Sequence, residues 1–174
     1  MTLSFKEDHI SQIPALMMLE KVGYTYLTPA EAMELRGGNA SNVLLEPILR
    51  EQLAKINTVQ VSSQRTTVFS EQNITAGIEA LKNLPMAEGY MTASQVAYDL
   101  LTAGKTLEQI VDGDKKSYVM QYIDWKHIEN NAFHVTEEFA VSRTGMSDTY
   151  RPDIVLFVNG IPLCVIECKR PDIK

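Results

Sequence analysis

The chain has 174 residues, of which 45% are apolar, and its formal net charge is -6. This length and composition predict an ordinary globular fold with a real core and exclude a disordered or fibrous chain. The acidic balance argues against a surface that binds nucleic acid by bulk electrostatics, but it allows a local site where metal ions meet phosphates. No stretch reaches the roughly 18 apolar residues of a membrane helix and no signal-peptide pattern is present, so a cytoplasmic protein without membrane contact is predicted.

The first part of the sequence predicts helices. Residues 9 to 22 place apolar side chains three apart, and Pro14 is expected to kink or start this helix. Thr28-Pro29-Ala30-Glu31 is a capping box that opens a short helix ending at about Arg36. Three further amphipathic segments are predicted at residues 42 to 56, which Pro47 can interrupt, 70 to 83 and 92 to 102.

Two short patterns near these segments have structural explanations. Ser70 is predicted to be the N-cap of the segment that follows it. Gly104-Lys105-Thr106 looks like the end of a nucleotide-binding loop, but Asp99 stands where that loop requires its first glycine. A helix C-cap at Gly104 is therefore the better interpretation.

The last part of the sequence predicts strands. They begin at about Lys116 with YVMQYIDW, continue with NAFHVTEEFAV and end with RPDIVLFVNGIPLCVIECKRP, residues 151 to 171. This final run indicates two strands joined by a tight turn at Asn159-Gly160. Helices gathered early and a sheet late predict a mixed α/β domain of the α+β kind, with no repeat and no clear internal boundary. Cys164 and Cys168 are predicted to be reduced core residues and not a disulfide or a zinc site.

Three charged residues, Asp153, Glu167 and Lys169, stand in or beside these apolar strands. Ionised side chains are costly there unless they are paired or bind a metal. Two carboxylates supply the hard oxygen donors that magnesium prefers, and the lysine can steady an attacking hydroxide or a developing phosphorane charge. The pattern points to a phosphodiester-cleaving site. The alternative is that Asp153 caps a strand while Glu167 pairs with Lys169 on an exposed edge.

A regular hairpin would not bring the two carboxylates together. With a two-residue turn at Asn159-Gly160, Asp153 pairs with Ile166 and points away from Glu167, because paired residues share a face. A three-residue loop, or one extra residue elsewhere in either strand, restores a common face. We therefore predict a bulge or an odd loop in this hairpin, with the carboxylates converging near Lys169.

The run from Asn130 to Pro171 resembles the N-terminal nuclease domain of the restriction (motor, R) subunit of type I restriction-modification enzymes. The resemblance rests on Asn-x-Phe-x-Val before a strand, on Arg-Pro-Asp-Ile-Val-Leu-Phe-x-Asn-Gly-Ile-Pro-Leu, and on Val-Ile-Glu-x-Lys. The early helix that ends in Val22-Gly23-Tyr24 is also similar to the opening helix of the family. Residues 40 to 120 match only loosely.

The resemblance implies a PD-(D/E)xK restriction-endonuclease-like core, a mixed sheet flanked by helices, with Asp153, Glu167 and Lys169 as catalytic residues and the two carboxylates as metal ligands. It implies a type I site-specific deoxyribonuclease that cuts double-stranded DNA after ATP-driven translocation by helicase-like domains outside this sequence. Magnesium is the cofactor expected here, since ATP would bind only in the full-length subunit. The implied partners are DNA, a methyltransferase (M) subunit and a specificity (S) subunit.

The sequence departs from the family pattern at two places. The family has a glutamate on the opening helix that helps to bind metal, but Gln12 stands at that position, with Glu7, Asp8 and Glu20 out of register. The family also has a Gln-x-x-x-Tyr motif after the Glu-x-Lys strand, which would lie beyond this sequence. Residues 1 to 174 are therefore interpreted as an endonuclease domain that is an N-terminal fragment of a longer chain.

Two alternatives stay open from the sequence. One is an independent PD-(D/E)xK nuclease, and the other is a non-catalytic scaffold domain of the same fold. Residues 40 to 110 carry few and scattered basic side chains, so they are expected to pack against the sheet or another domain and not to bind DNA.

Overall fold

The computed structural model of the chain describes residues 11–62, 65–142 and 148–169. Its α-helices are α1 (Ile13–Lys21), α2 (Pro29–Leu35), α3 (Glu46–Ile56), α4 (Glu71–Lys82) and α5 (Tyr90–Ala103). Its strands are β1 (Thr25–Leu27), β2 (Thr58–Ser62), β3 (Arg65–Val68), β4 (Lys105–Val111), β5 (Asp114–Met120), β6 (Phe133–Glu137), β7 (Val141–Ser142), β8 (Thr149–Tyr150), β9 (Ile154–Val158) and β10 (Ile161–Ile166). Among the described residues, no helix has both the length and the apolar character needed to cross a membrane.

The chain divides into two compact units. Unit 1 combines the residues up to Leu45 with those from Ala132 onward, and unit 2 is the continuous segment Glu46–Asn131. The amino-acid composition does not change at either boundary in a way that would predict this division. The acidic residues Glu7 and Asp8 lie outside the described residues.

Unit 1 is built on a four-stranded mixed sheet in the order β1-β6-β9-β10. Strand β1 runs parallel to β6, whereas β9 is antiparallel to both β6 and β10. Helix α1 covers one face of this sheet, because Leu16 packs into an apolar cluster with Val135, Ile154 and Cys168. The expected mixed sheet with flanking helices is therefore confirmed.

Local signals set the ends of the first two helices as predicted. Pro14 is the second residue of α1, in the first turn of that helix. Gly23, with a φ of 107°, ends α1 in a conformation that favours glycine. Thr28 and Glu31 form the capping box of α2, in which the N–H of Glu31 donates to Oγ1 of Thr28 at 3.2 Å.

Unit 2 has its own core, formed by helices and two hairpins. Gly77 of α4 lies against the side chains of Leu53, Met120 and Tyr122. The hydroxyl of Tyr122 donates to the carbonyl oxygen of Gly77 at 2.7 Å, and burial raises the pKa of this phenol. This bond satisfies a polar group that would otherwise be costly to bury.

The predicted caps of unit 2 are also present. Oγ of Ser70 accepts a hydrogen bond from the N–H of Asn73 at 3.3 Å. Gly104 ends α5 with a φ of 79°, which confirms the C-cap interpretation of Gly104-Lys105-Thr106. Gly104 also lies close to the backbone oxygen of Met120, so a side chain would not fit there.

Several predicted boundaries are wrong. The segment expected over residues 42 to 56 is helical only from Glu46, next to the interruption considered at Pro47, because proline favours the first turn of a helix over its interior. The strand expected from YVMQYIDW ends at Met120, and hairpin β2–β3 and strand β4 were not predicted. A signal for the β4–β5 hairpin was present in Asp112-Gly113, whose φ values of 54° and 88° fit the two-residue turn that this dipeptide favours.

Candidate active site at the end of the β9–β10 hairpin

The turn between β9 and β10 is the tight one that the sequence predicts. Val158 pairs with Ile161, so the loop has two residues, and Asn159 and Gly160 have positive φ values of 53° and 80°. The amide oxygen of Asn159 accepts a hydrogen bond from the N–H of Ala132 at 2.8 Å, which fixes the turn to the start of β6.

The second strand of this hairpin contains one extra residue. The pairs are Ile161 with Val158, Pro162 with Phe157, Cys164 with Leu156, Val165 with Val155 and Ile166 with Ile154. The register shifts at Leu163, which has no partner in β9. Continuing this register by one position brings Asp153 opposite Glu167, so both lie on one face. The predicted extra residue is confirmed.

The carboxylates lie at strand ends and not in the core. Asp153 precedes β9 and is half-buried, whereas Glu167 and Lys169 follow β10 and are exposed. The expectation of charges on core strands is wrong for β10, because this strand is the edge of the sheet and its Val165 is 52% exposed. Both cysteines are free thiols, as predicted. Cys168 is buried as expected, but Cys164 is exposed, so its predicted place in the core is wrong.

Each carboxylate accepts a hydrogen bond from a described residue. Oδ2 of Asp153 accepts from the backbone N–H of Cys168 at 2.6 Å, so the Asp153 side chain reaches the Glu-x-Lys segment directly. Oε1 of Glu167 accepts from the hydroxyl of Tyr150. These bonds use one oxygen of each carboxylate. The other oxygen is Oδ1 in Asp153 and Oε2 in Glu167.

A second polar cluster supports the backbone of Asp153. The amide nitrogen of Gln12, which is 5% exposed, donates to Oε2 of Glu137 at 3.0 Å and to the carbonyl oxygen of Asp153 at 3.3 Å. Oε1 of Glu137 accepts from the hydroxyl of Tyr26 at 2.7 Å. Burial, then the hydrogen bond to Glu137 and its charge, raise the pKa of Tyr26 to about 12. Glu20, the other acidic residue considered on the opening helix, is exposed.

An apolar cavity borders the same face of the sheet. It has a volume of about 260 Å³, and its lining residues include Val155 and Val165, which form the strand pair next to the carboxylates. The ring of Tyr150 and the side chain of Pro152 also line it. The phenol that contacts Glu167 is therefore placed between an apolar wall and a charged group.

Sequence reasoning missed Tyr150, which contacts Glu167, and the pair of Tyr26 and Glu137 that binds Gln12. Tyr150, Tyr26 and Glu137 carry no motif, and their contacts join residues far apart in the chain. Within residues 11–62, 65–142 and 148–169, no group of three or more His, Cys, Asp or Glu side chains is arranged to hold a metal ion. The described residues therefore offer the pair Asp153 and Glu167 and no third side-chain ligand of these types.

Comparison with known proteins agrees with the motifs. The family model of the type I restriction enzyme R protein N terminus matches residues 4–174. The "Type I restriction enzyme HindI endonuclease subunit" of Haemophilus influenzae is 28% identical over 170 residues, which are 95% of this chain and 15% of that protein. No solved structure matches the chain.

Two proteins of Methanocaldococcus jannaschii are also similar. The "Putative type I restriction enzyme MjaIXP endonuclease subunit" is 25% identical over 166 residues, which are 95% of this chain and 15% of that protein. The corresponding MjaVIIIP subunit is 31% identical over 155 residues, which are 87% of this chain and 13% of that protein. The chain thus spans about 15% of the length of the first two relatives.

Proposed function

The chain belongs to the family of type I restriction enzyme R protein N termini, and from this premise we propose that it is a magnesium-dependent endonuclease domain with a PD-(D/E)xK core. Its substrate is double-stranded DNA, and its reaction is phosphodiester hydrolysis. The relatives are named endonuclease subunits, which supports this reaction class.

The observation that carries the proposal is the register shift at Leu163, which leaves this residue unpaired. If Leu163 instead paired with Leu156, the two-residue turn would bring Asp153 opposite Ile166 and turn it away from Glu167. With the register shift, both carboxylates lie on one face at the open end of the sheet, and the Asp153 side chain contacts the backbone beside Glu167. Bulges often redirect side chains next to active sites.

The donor set fits magnesium. Asp153 and Glu167 would hold the ion through carboxylate oxygens, the ligand type that this hard cation prefers. When bound, the ion polarises the scissile phosphate and lowers the pKa of water. Asp153 and Glu167 would act by holding the ion, and the exposed ammonium of Lys169 would steady the attacking hydroxide or the negative charge that develops on the phosphoryl group.

The family suggests the larger reaction in which this domain takes part. Helicase-like domains outside this chain would bind ATP and translocate DNA, and cleavage would follow when translocation stalls. A specificity subunit would read the target sequence and a methyltransferase subunit would modify it. The acidic balance of the chain is compatible with this division, since other parts of the complex can hold the phosphates.

Three single variants test the proposed site in the assembled enzyme: Asp153→Ala, Glu167→Ala and Lys169→Ala. Each should abolish DNA cleavage and leave ATP-driven translocation near wild type, because these groups would meet only the scissile phosphate. Asp114→Ala and Lys116→Ala, at an exposed pair in unit 2, are matched controls that should cut normally. A site variant that cuts at the parental rate would remove that residue from the mechanism.

A non-catalytic domain of the same fold is the second candidate, and Gln12 is the observation that favours it. Gln12 stands where the family pattern has a glutamate, and its amide nitrogen is used by Glu137 and by the backbone of Asp153. A domain that lost catalysis would bind no manganese or magnesium at Asp153 and Glu167. Calorimetric titration of the metal into wild type and Asp153→Ala separates the two functions.

A further inference from the structure

Tyr150 is the described side chain whose hydroxyl contacts a proposed metal ligand directly. It ends β8, three residues before Asp153, and its hydroxyl donates to Oε1 of Glu167. Its ring lines the apolar cavity together with Pro152 and Val165. The phenol therefore has an apolar wall beside its ring and a carboxylate at its polar end.

We propose that Tyr150 is a positioning residue that sets the orientation of the Glu167 carboxylate for metal binding, an inference that rests on the proposed function. Glu167 is exposed and follows the last residue of an edge strand, so its long side chain has several accessible rotamers. The hydrogen bond from the Tyr150 hydroxyl selects one of them. It uses Oε1 and directs the other oxygen of the carboxylate toward the ion, as outer partners of metal ligands commonly do.

The segment from Tyr150 to Asp153 couples the two carboxylates. Its first residue contacts Glu167, and its last accepts the N–H of Cys168 through Oδ2. Between them, Arg151 pairs with Glu138 at 3.3 Å. The N–H of Glu138 in turn donates to the carbonyl oxygen of Asp153 at 3.1 Å. One short segment thus fixes both proposed ligands relative to each other.

A competing role for the phenol would have the opposite consequence. If the hydroxyl only occupied a coordination direction of Glu167, its removal would free that oxygen and the protein would bind metal more tightly. If the hydroxyl orients the carboxylate, its removal weakens metal binding. Tyr150→Phe distinguishes the two, because the ring and its apolar contacts stay in place.

The test is calorimetric titration of Mn²⁺, without nucleotide, into the intact protein that carries this chain. Tyr150→Phe should bind the ion about tenfold more weakly than wild type, the usual size of a loss at an outer partner of a metal ligand. The signal that Asp153→Ala removes defines binding at this site. Tyr98→Phe, which alters an exposed tyrosine of unit 2, is the matched control and should bind as wild type does.

Two further measurements separate positioning from a general structural role. The melting temperature of Tyr150→Phe should equal that of wild type, and its cleavage should approach the parental rate at saturating metal. Unchanged or tighter Mn²⁺ binding by Tyr150→Phe, with binding lost in Asp153→Ala, overturns the role of Tyr150 and leaves the proposed function standing. Equal Mn²⁺ binding by wild type and Asp153→Ala overturns the proposed metal site itself.

Discussion

Two polar clusters, one in each unit, have different partners. In unit 2, the amide nitrogen of the buried Asn57 donates to the carbonyl oxygens of Leu53 at 3.0 Å and Gln121 at 2.8 Å. In unit 1, the buried Gln12 and the half-buried Tyr26 bind the carboxylate of Glu137. The first cluster closes backbone hydrogen bonds, and the second also holds a carboxylate.

This difference shows where chemistry is to be expected in the chain. A polar side chain bound to the backbone satisfies groups that folding has buried, and its role ends with stability. The register of the β9–β10 hairpin places Asp153 and Glu167 on one face of unit 1, and the proposed function gives a reason for two carboxylates at this place.

The largest effect is expected from changing the length of β10 by one residue, which tests whether the carboxylates of unit 1 must lie on one face. One alanine inserted between Cys164 and Val165 would move Glu167 to the opposite face from Asp153, and cleavage should be lost. Deletion of Leu163 removes the unpaired residue but keeps Cys164 opposite Leu156, so cleavage should largely survive. Both are measured as DNA cleavage by the assembled enzyme.

Translocation by the same preparations is the control for folding, since motor function would lie outside this chain. The insertion also turns Ile166 and Cys168 away from the apolar cluster under α1, so its melting temperature should fall. An insertion variant that cuts normally, or a deletion variant that does not cut while remaining folded, would contradict the assigned register.

Features set by neighbouring residues could be predicted from the sequence. The Asn159-Gly160 turn, the Thr28 capping box and the Ser70 N-cap each depend on a few adjacent residues, and all three are present. The need for an unpaired residue in the hairpin could also be predicted from the number of residues between Asp153 and Glu167, because side chains alternate between the two faces of a strand.

Features that depend on tertiary contact could not be predicted. Counting required an extra residue but could not locate it at Leu163, because several positions would satisfy the same rule. The bond between Gln12 and Glu137 joins residues 125 apart in sequence, and no local pattern announces it. Unit 2 begins at Glu46 without a change of composition, since each unit buries an apolar face of the same kind.

A smaller effect is expected from Asn57→Ala, which tests whether this polar side chain of unit 2 serves stability and not cleavage. Asn57 is 4% exposed, and its amide oxygen also accepts the N–H of Gln121 at 2.7 Å. Its removal leaves buried backbone groups without partners and should lower the free energy of unfolding by about 2–3 kcal/mol, measured by urea denaturation. Cleavage at temperatures where the variant stays folded should be unchanged.

Asn83→Ala is the matched control for that variant. Its side chain donates to the exposed Glu79 at 3.0 Å and to no other described residue, so its loss should change the unfolding free energy by less than about 0.5 kcal/mol. If Asn57→Ala instead reduced cleavage without reducing stability, polar side chains of unit 2 would also serve the site and the contrast between the units would fail.

The smallest effect concerns His134 of β6, whose Nδ1 is buried and has no hydrogen-bond partner among the described residues. Burial lowers the pKa of this imidazole below its usual value of about 6.5. As pH falls below that value, the unfolded chain takes up a proton before the folded chain does, so stability should decrease until the folded pKa is passed. His134→Gln should flatten the decrease in unfolding free energy between pH 7.5 and 5.5, measured by urea denaturation, whereas His127→Gln, at a side chain that is 65% exposed, should not. If the unfolding free energy of wild type and of His134→Gln had the same pH dependence, the imidazole would be as well solvated in the folded chain as in the unfolded one. Nδ1 of His134 would then have contact with water or another partner.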